Sequence, residues 1–474
     1  MSFSDQKVAS HKSVNLPKAL GPLDGAAIVV SNVVGGGIFI VPVLVAQSVP
    51  NPWGMLSIWL AGGVLAFAGA MAYAELATVY PRAGGEYIYL SEAFGPRAGF
   101  LTGWTSFVAG FSGAIAASSV GLASYLGRFV PAAGDVSPLL ELKTGLVTFT
   151  VTPQAIVAIT AIVGLSVIHV IGLKPGRFVQ NILAALKVLL LIAFVVVGFS
   201  IGKGDISNFS STAGATIFPS SWVIALIPVM FSYSGWNAAA YVAEEMRDPE
   251  RNVPLALGIG TVTVVVIYLL LNMLYIYAMP INELALVDVR VVDAAADSLF
   301  NESIAIPLAA ASVIMIAASI SAMVLAGPRV YYAMARDRQF FSSLARVHPT
   351  FRTPAVAILA QAVWASILVL TGTFVQLVEY TGFAVVLFAG IAVTALFVIR
   401  RRDPEAKPPF KAWGYPFAPF VFVAASFLMV LNAIWRTPVT SLFGLSIILL
   451  GIPVFMFFQR QAKRSEVKND SELP

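Results

Sequence analysis

Three consecutive glycines, Gly35, Gly36 and Gly37, stand at the middle of an apolar stretch at about 22–48. Each disfavours helix by about 1 kcal/mol relative to alanine. Inside a bilayer an opened turn also leaves backbone N–H and C=O groups whose unpaired burial costs several kcal/mol each. A ligand can satisfy them. Amides at the start of the outer half-helix suit a carboxylate, and carbonyls at the end of the inner half-helix suit an ammonium. A zwitterionic amino acid matches both ends without any charged side chain from the protein. The alternative use of glycine, close packing of two helices, follows a one-face spacing that three adjacent glycines lack.

A second apolar stretch is interrupted by Phe231-Ser232-Tyr233-Ser234-Gly235-Trp236-Asn237. Exposed carbonyls, large aromatics and an amide in one non-helical segment make a selectivity surface. Trp236 and Phe231 could close over an apolar side chain, and Asn237 could read a polar one or support the break. Paired interruptions in two halves point to the midplane site of a secondary transporter. Lys187 lies about ten residues into the fifth apolar stretch, roughly 15 Å deep. A lysine at that depth needs a partner or a water-filled cavity. There it could carry a coupled proton; the alternative is snorkelling to the interface.

These residues need a membrane scaffold to position them. The chain has 474 residues, is 58% hydrophobic and only 11% charged, and has a mean hydropathy of +0.85. With about 20 apolar residues per span, twelve helices are expected, at about 22–48, 53–79, 98–127, 153–173, 178–200, 219–243, 253–279, 305–332, 354–373, 377–399, 416–435 and 440–459. Of 29 Lys and Arg, only Arg128, Lys143, Lys203, Arg290 and Arg436 fall opposite the N-terminal side. The positive-inside rule therefore places both termini in the cytoplasm. A polar segment 1–21 precedes the first span, which serves as its own insertion signal. A tail at 460–474 follows the last.

Spans one to five (22–200) and six to ten (219–399) each begin with a broken helix. Because five is odd, the second set lies inverted relative to the first. Spans eleven and twelve (416–459) fall outside that repeat. No outer loop is large enough for a soluble enzyme, and no nucleophile–base pair or paired carboxylates occur at plausible depth. The absence of cysteine removes thiol chemistry, the three scattered histidines do not suggest a metal site, and no phosphate-binding loop supports an ATP-driven pump. No cofactor and no nucleic-acid partner are expected. Asn208 and Asn301 head glycosylation-type triplets.

Glu75, Arg82, Glu86, Glu244, Glu245, Arg247, Arg251, Arg329 and Arg336 fall at the expected inner ends of helices two, three, six and eight. Salt bridges among them could hold an inner gate, or they could simply set topology. Ser319 and Ser321 could supply hydroxyls near the first break. No Asp or Glu is expected near either break.

Several motifs together resemble the amino acid-polyamine-organocation superfamily of transporters, over nearly all twelve spans. They are Gly35-Gly36-Gly37-Ile38-Phe39, Pro81-Arg82-Ala83-Gly84-Gly85-Glu86-Tyr87, Gly235-Trp236-Asn237 with Glu244-Glu245 and Asp248 to Pro254, and Pro328-Arg329 with Tyr332 to Asp337. The Gly-Trp-Asn stretch is similar to the L-type branch, and the stretch from Tyr332 to Asp337 to the cationic branch. The resemblance implies the leucine-transporter-like all-α fold, a five-plus-five inverted repeat with discontinuous helices one and six. It also implies that amides of Gly36, Gly37 and Ile38 take the substrate carboxylate, and that carbonyls of Val33, Phe231 and Ser234 take its ammonium. Where Gly36 stands, many relatives carry serine. Lys187 matches a lysine that stands in for sodium, which implies sodium independence. The expectation is alternating-access transport of neutral L-amino acids, by proton symport or exchange, in the plasma membrane. Rival expectations are a cationic amino acid or polyamine exchanger of the same fold, and an amino acid sensor that does not transport.

Overall fold

The computed structural model describes residues 18, 20–144, 148–171, 174–210, 219–287, 290–300, 302–372, 374–405 and 407–471. Most of the polar N-terminal segment and Asn301 lie outside them. In chain order the helices are α1 (Pro22–Val33), α2 (Gly36–Ser48), α3 (Pro52–Val79), α4 (Glu86–Phe94), α5 (Pro96–Thr105), α6 (Phe111–Leu126), α7 (Pro153–Ile171) and α8 (Lys174–Ile201). Then come α9 (Pro219–Tyr233), α10 (Ala238–Tyr241), α11 (Pro249–Ala278), α12 (Ile281–Leu284), α13 (Val291–Leu299), α14 (Glu302–Ala326) and α15 (Pro328–Arg336). The last are α16 (Ala355–Thr371), α17 (Phe374–Arg402), α18 (Phe417–Arg436) and α19 (Pro438–Ser471).

Local chemistry sets several of these starts. Pro22 and Pro52 occupy first-turn positions, where a missing N–H costs nothing. Asn51 caps α3 by accepting from the Gly54 amide at 2.8 Å, and Asp24 accepts from the Gly21 amide at 2.8 Å. Among the described residues, nine helices are long and apolar enough to cross a membrane, and ten if the bent pair α1 and α2 is one span. Two of the twelve expected spans, α9 and α16, are shorter apolar helices. The α1–α2 pair bends by 45° at Val34–Gly35, and the second break falls between α9 and α10. Both interruptions stand where the glycines place them.

The expectation of an all-α chain needs correction in the long loop between α6 and α7. Leu140–Lys143 and Thr148–Val151 pair as an antiparallel hairpin, β1 and β2. Alternating residues there fit a pleated ribbon outside the bilayer, where open strand edges can meet water. A π-turn at Ser106–Gly110 between α5 and α6 also lay beyond sequence reading.

In the interior α11 lies against α1 and α3, α2 and α3 against α9, and α6 against α14 and α17. Apolar side chains on the outer faces, such as Leu189, Val363 and Leu431, stay exposed, as lipid contact requires.

Helix α13 covers the end of the bundle that carries Arg128. It packs on α2 and α14, and Arg128 grips Asp297 through two bonds of 2.7 and 3.0 Å. Asp293 lies farther from its cations, 3.7 Å from Arg128 and 3.9 Å from Arg290, and neither of its oxygens accepts a hydrogen bond. Burial pushes its carboxyl up to about 6 from 3.8; Arg128 and Arg290 pull it down, and Asp297 pushes it up. The folded protein therefore binds a proton between those values that the unfolded chain does not, so stability rises as pH falls through that window. Melting temperatures of the purified protein should show this rise, and Asp293→Asn should flatten it. An unchanged slope in the variant would reject the assignment.

Candidate functional site

The two breaks meet. Ideal Cβ positions put Gly37 2.7 Å from Ser232 Cα, Gly36 3.3 Å from Ser118 Cα and Gly35 3.0 Å from Ser319 Cβ. Gly235, with φ +102°, lies against the backbone of Asn32 and Val33. Small residues at both interruptions let two opened backbones touch where side chains would hold them apart. The first amides of α2, at Gly36, Gly37 and Ile38, have no carbonyl one turn behind them. All three residues are buried.

The carbonyl side of the first break is held by side chains. Lys187, only 1% exposed, donates from Nζ to the Val34 carbonyl at 2.6 Å, the Ser31 carbonyl at 3.3 Å and Ser319 Oγ at 2.7 Å. Ser319 itself donates to the Val34 carbonyl. Lys187 therefore points inward and does not snorkel. Of the two serines singled out, Ser319 reaches the break, whereas Ser321 pairs with His169 at 2.6 Å.

Tyr268, which sequence reading missed, links both breaks. Its hydroxyl lies 2.7 Å from the Val33 carbonyl and 2.9 Å from the Ser232 carbonyl. The Phe231 carbonyl accepts from the Ser234 amide at 2.9 Å. Tyr268→Phe leaves those carbonyls with one partner fewer, a change worth about 1–3 kcal/mol. Uptake by this variant in liposomes should fall several-fold, and wild-type rates would deny the tyrosine its bridging role.

A cavity opens beside the second break. Ser234, Gly235, Trp236 and Asn237 line it together with Asn32, Thr102, Thr105 and Glu86. Val33, Gly35, Gly36, Gly37, Ile38 and Phe231 are not among its lining residues. Trp236 is wedged between Tyr73 and Phe422, with ring centroids 4.8 and 5.8 Å away. Asn237 donates to Glu86 Oε1 at 2.9 Å and to the Tyr241 hydroxyl at 3.1 Å.

Glu86 corrects the expectation that no acid lies near a break. The Gly84-Gly85 reversal, at φ +119° and +51°, folds the start of α4 back into the bundle. Glu86 thereby leaves the inner charge cluster in which its sequence neighbours placed it. It accepts from Tyr73 at 2.6 Å as well as from Asn237. Burial raises its carboxyl, and bonds from Tyr73, Tyr241 and Asn237 oppose that rise.

Other members of the inner cluster pair as ions. Arg329 holds Glu245 at 2.8 Å with both side chains nearly buried. Arg336 meets Glu244 at 3.3 Å, and Arg82 meets Asp337 at 3.3 Å, in more exposed settings. Tyr87 donates to Asp337 at 2.9 Å and the Ala83 amide to Glu244 at 3.0 Å. Glu75 turns instead to Arg400, in bonds of 2.6 and 2.7 Å, and to the Ala412 amide at 2.7 Å. The Arg400 guanidinium also lies 3.7 Å over the Tyr415 ring. No sequence proximity signals that last group.

Comparison with known proteins gives the family. The family model described as "Amino acid permease" matches residues 20–458. The chain is 32% identical over 444 residues to the serine/threonine exchanger SteT of Bacillus subtilis, covering 93% of this chain and 96% of that protein. It is 30% identical over 452 residues to the b(0,+)-type amino acid transporter 1 of Mus musculus, covering 94% and 89%. To the cystine/glutamate transporter of Homo sapiens it is 28% identical over 463 residues, covering 96% and 88%.

Proposed function

The chain belongs to the amino acid permease family, and from that premise we propose that it is a sodium-independent secondary transporter of neutral L-amino acids. The observation that carries this reading is the ammonium of Lys187 between the Ser31 and Val34 carbonyls and Ser319. A fixed cation there does the work a bound metal cation would do at an opened turn. Helix ends at the two breaks offer amides to the substrate carboxylate and carbonyls to its ammonium, with Gly36, Gly37 and Ile38 on one side and Ser234 on the other. Val33 and Phe231 serve that second side through carbonyls already engaged by Tyr268 and the Ser234 amide.

In this reading the chain crosses the membrane twelve times in a five-plus-five inverted repeat. α1 to α8 form the first set and α9 to α17 the second. Both termini lie in the cytoplasm of a cell whose plasma membrane holds the protein. The lid α13 on one face and the more exposed ion pairs Arg336–Glu244 and Arg82–Asp337 on the other provide the two gates that alternating access needs. One relative is named an exchanger, so exchange is the coupling to test first, with proton symport through Lys187 as its competitor.

The test is uptake of labelled alanine into proteoliposomes. Equal rates in sodium and in choline, faster with unlabelled alanine inside, are expected. A sodium requirement, or no flux of any neutral amino acid under any gradient, would sink the reading. Binding without flux would favour a sensor.

A further inference from the structure

The hairpin of β1 and β2 sorts its side chains by face. Leu140 stands opposite Val151 and Leu142 opposite Phe149, while Glu141 stands opposite Thr150 and Lys143 opposite Thr148. Successive residues of a strand point to opposite faces, so one face of the ribbon is wholly apolar and the other wholly polar. β2 is partly covered at Phe149, Thr150 and Val151 and has α16 as its neighbour. β1 overhangs: all four of its residues are exposed, Leu140 at 64% and Leu142 at 59%. Val136 and Leu139, just before it, are exposed as well. Two leucines thus extend an apolar face with nothing beneath them.

Among the described residues β1 pairs with β2 alone, so its second edge presents open backbone N–H and C=O groups. A lysine on such an edge ordinarily keeps other strands away. Here Glu141 balances Lys143 from the same face, in an exposed pair 3.5 Å apart.

The sequence of β1 is also complementary to itself. When a second copy of β1 is laid antiparallel along the open edge, apolar residues face apolar ones only if the pairing centres on a residue. Four centres exist. A pairing about Leu140 sets Glu141 and Lys143 against residues outside the strand. A pairing about Glu141 sets glutamate against glutamate, and one about Lys143 sets lysine against lysine. A pairing about Leu142 sets Leu142 against its own copy and, on either side, Glu141 against Lys143. That last register alone joins the apolar faces and gives every charge an opposite one, the arrangement that favours cross-strand pairing.

We propose that the open edge of β1 is an interface with a second copy of this chain, in which the two strands pair antiparallel about Leu142. Two hairpins then form one continuous sheet outside the bilayer. Each Glu141–Lys143 contact within a chain is exchanged for one across the seam. A contact in which the same patch serves both copies closes on itself and makes a dimer, not a filament. The interface is independent of what the protein carries.

The chain has no cysteine, so a single introduced one reports the register. Leu142→Cys in the membrane, under mild oxidation, should form a covalent dimer, because facing residues of an antiparallel pair lie about 4.5–5.5 Å apart, within disulfide reach. Glu141→Cys and Lys143→Cys should each yield about tenfold less alone, since diagonal positions stand about 7–8 Å apart. Mixed, those two variants should crosslink with each other. Lys143→Glu added to Leu142→Cys should cut the yield about fivefold, and the exchanged pair Glu141→Lys with Lys143→Glu should restore it. An unchanged melting temperature after reduction shows that each variant is folded. Equal yields at all three positions, as random collision gives, or a charge reversal without effect, overturn the proposal. A Leu142→Cys variant that stays monomeric at every protein-to-lipid ratio overturns it too, and leaves the leucines to lipid headgroups.

Discussion

Lys187→Met is expected to lower alanine uptake in proteoliposomes to less than about a tenth of the wild-type rate. The ammonium ties the unwound end of α1 to α14 through the Val34 carbonyl and Ser319 Oγ, with Ser31 as a third partner. Methionine matches the length and apolar stem but cannot donate. Each buried acceptor left without its donor costs about 1–3 kcal/mol, and one such loss is enough for a tenfold effect. Two loading conditions separate the roles of the lysine. If uptake into empty vesicles needs an inward proton gradient in wild type and vanishes in the variant, the amine carries the coupled proton. If uptake occurs only into alanine-loaded vesicles, the amine is a fixed cation. Unimpaired uptake in the variant would remove Lys187 from both roles.

Gly235→Ala should be equally damaging for a different reason. The residue adopts φ +102°, and a Cβ there would stand 2.8 Å from Asn32 Cβ, 3.0 Å from Asn32 C and 3.2 Å from the Val33 amide nitrogen. The left-handed conformation alone costs a β-carbon about 1–2 kcal/mol. The contacts add more, because two of those neighbours are backbone and cannot swing aside. Uptake should fall more than tenfold and the melting temperature should drop. Gly95→Ala supplies the control: its φ is +89°, but nothing lies within 4 Å of the added carbon. That variant isolates the conformational term and should keep most of its transport. If the two alanines behave alike, close approach of the breaks is not what the second glycine serves.

The interruptions were legible in the sequence because glycine in a spanning stretch is costly enough to need a reason. Gly35 to Gly37 and Gly235 mark both breaks, and Lys187 marked itself by its depth. Glu86 was not legible. It follows Arg82 by four residues and reads as interfacial charge, and only the reversal at Gly84-Gly85 reveals that it joins Asn237, 151 residues away. Tyr268 shows the same limit: a tyrosine in an apolar helix carries no mark of the carbonyls its hydroxyl will meet. The paired strands Leu140–Lys143 and Thr148–Val151 and the π-turn at Ser106–Gly110 were missed because period-two alternation over four residues and one extra residue per turn leave faint traces beside 3.6-residue patterning.

The grip of Arg400 on Glu75 and Ala412, with Tyr415 stacked beneath it, has a mechanical consequence. Exposed single ion pairs such as Arg82–Asp337 contribute about 0–1 kcal/mol. Removing one partner of a buried pair costs about 3–5 kcal/mol. Under the proposed alternating access, the face that carries these pairs must part along its weakest contacts. The seam therefore runs through Arg82 and Arg336, while the fastening of α17 to α3 behaves as a rivet that both open and closed forms keep.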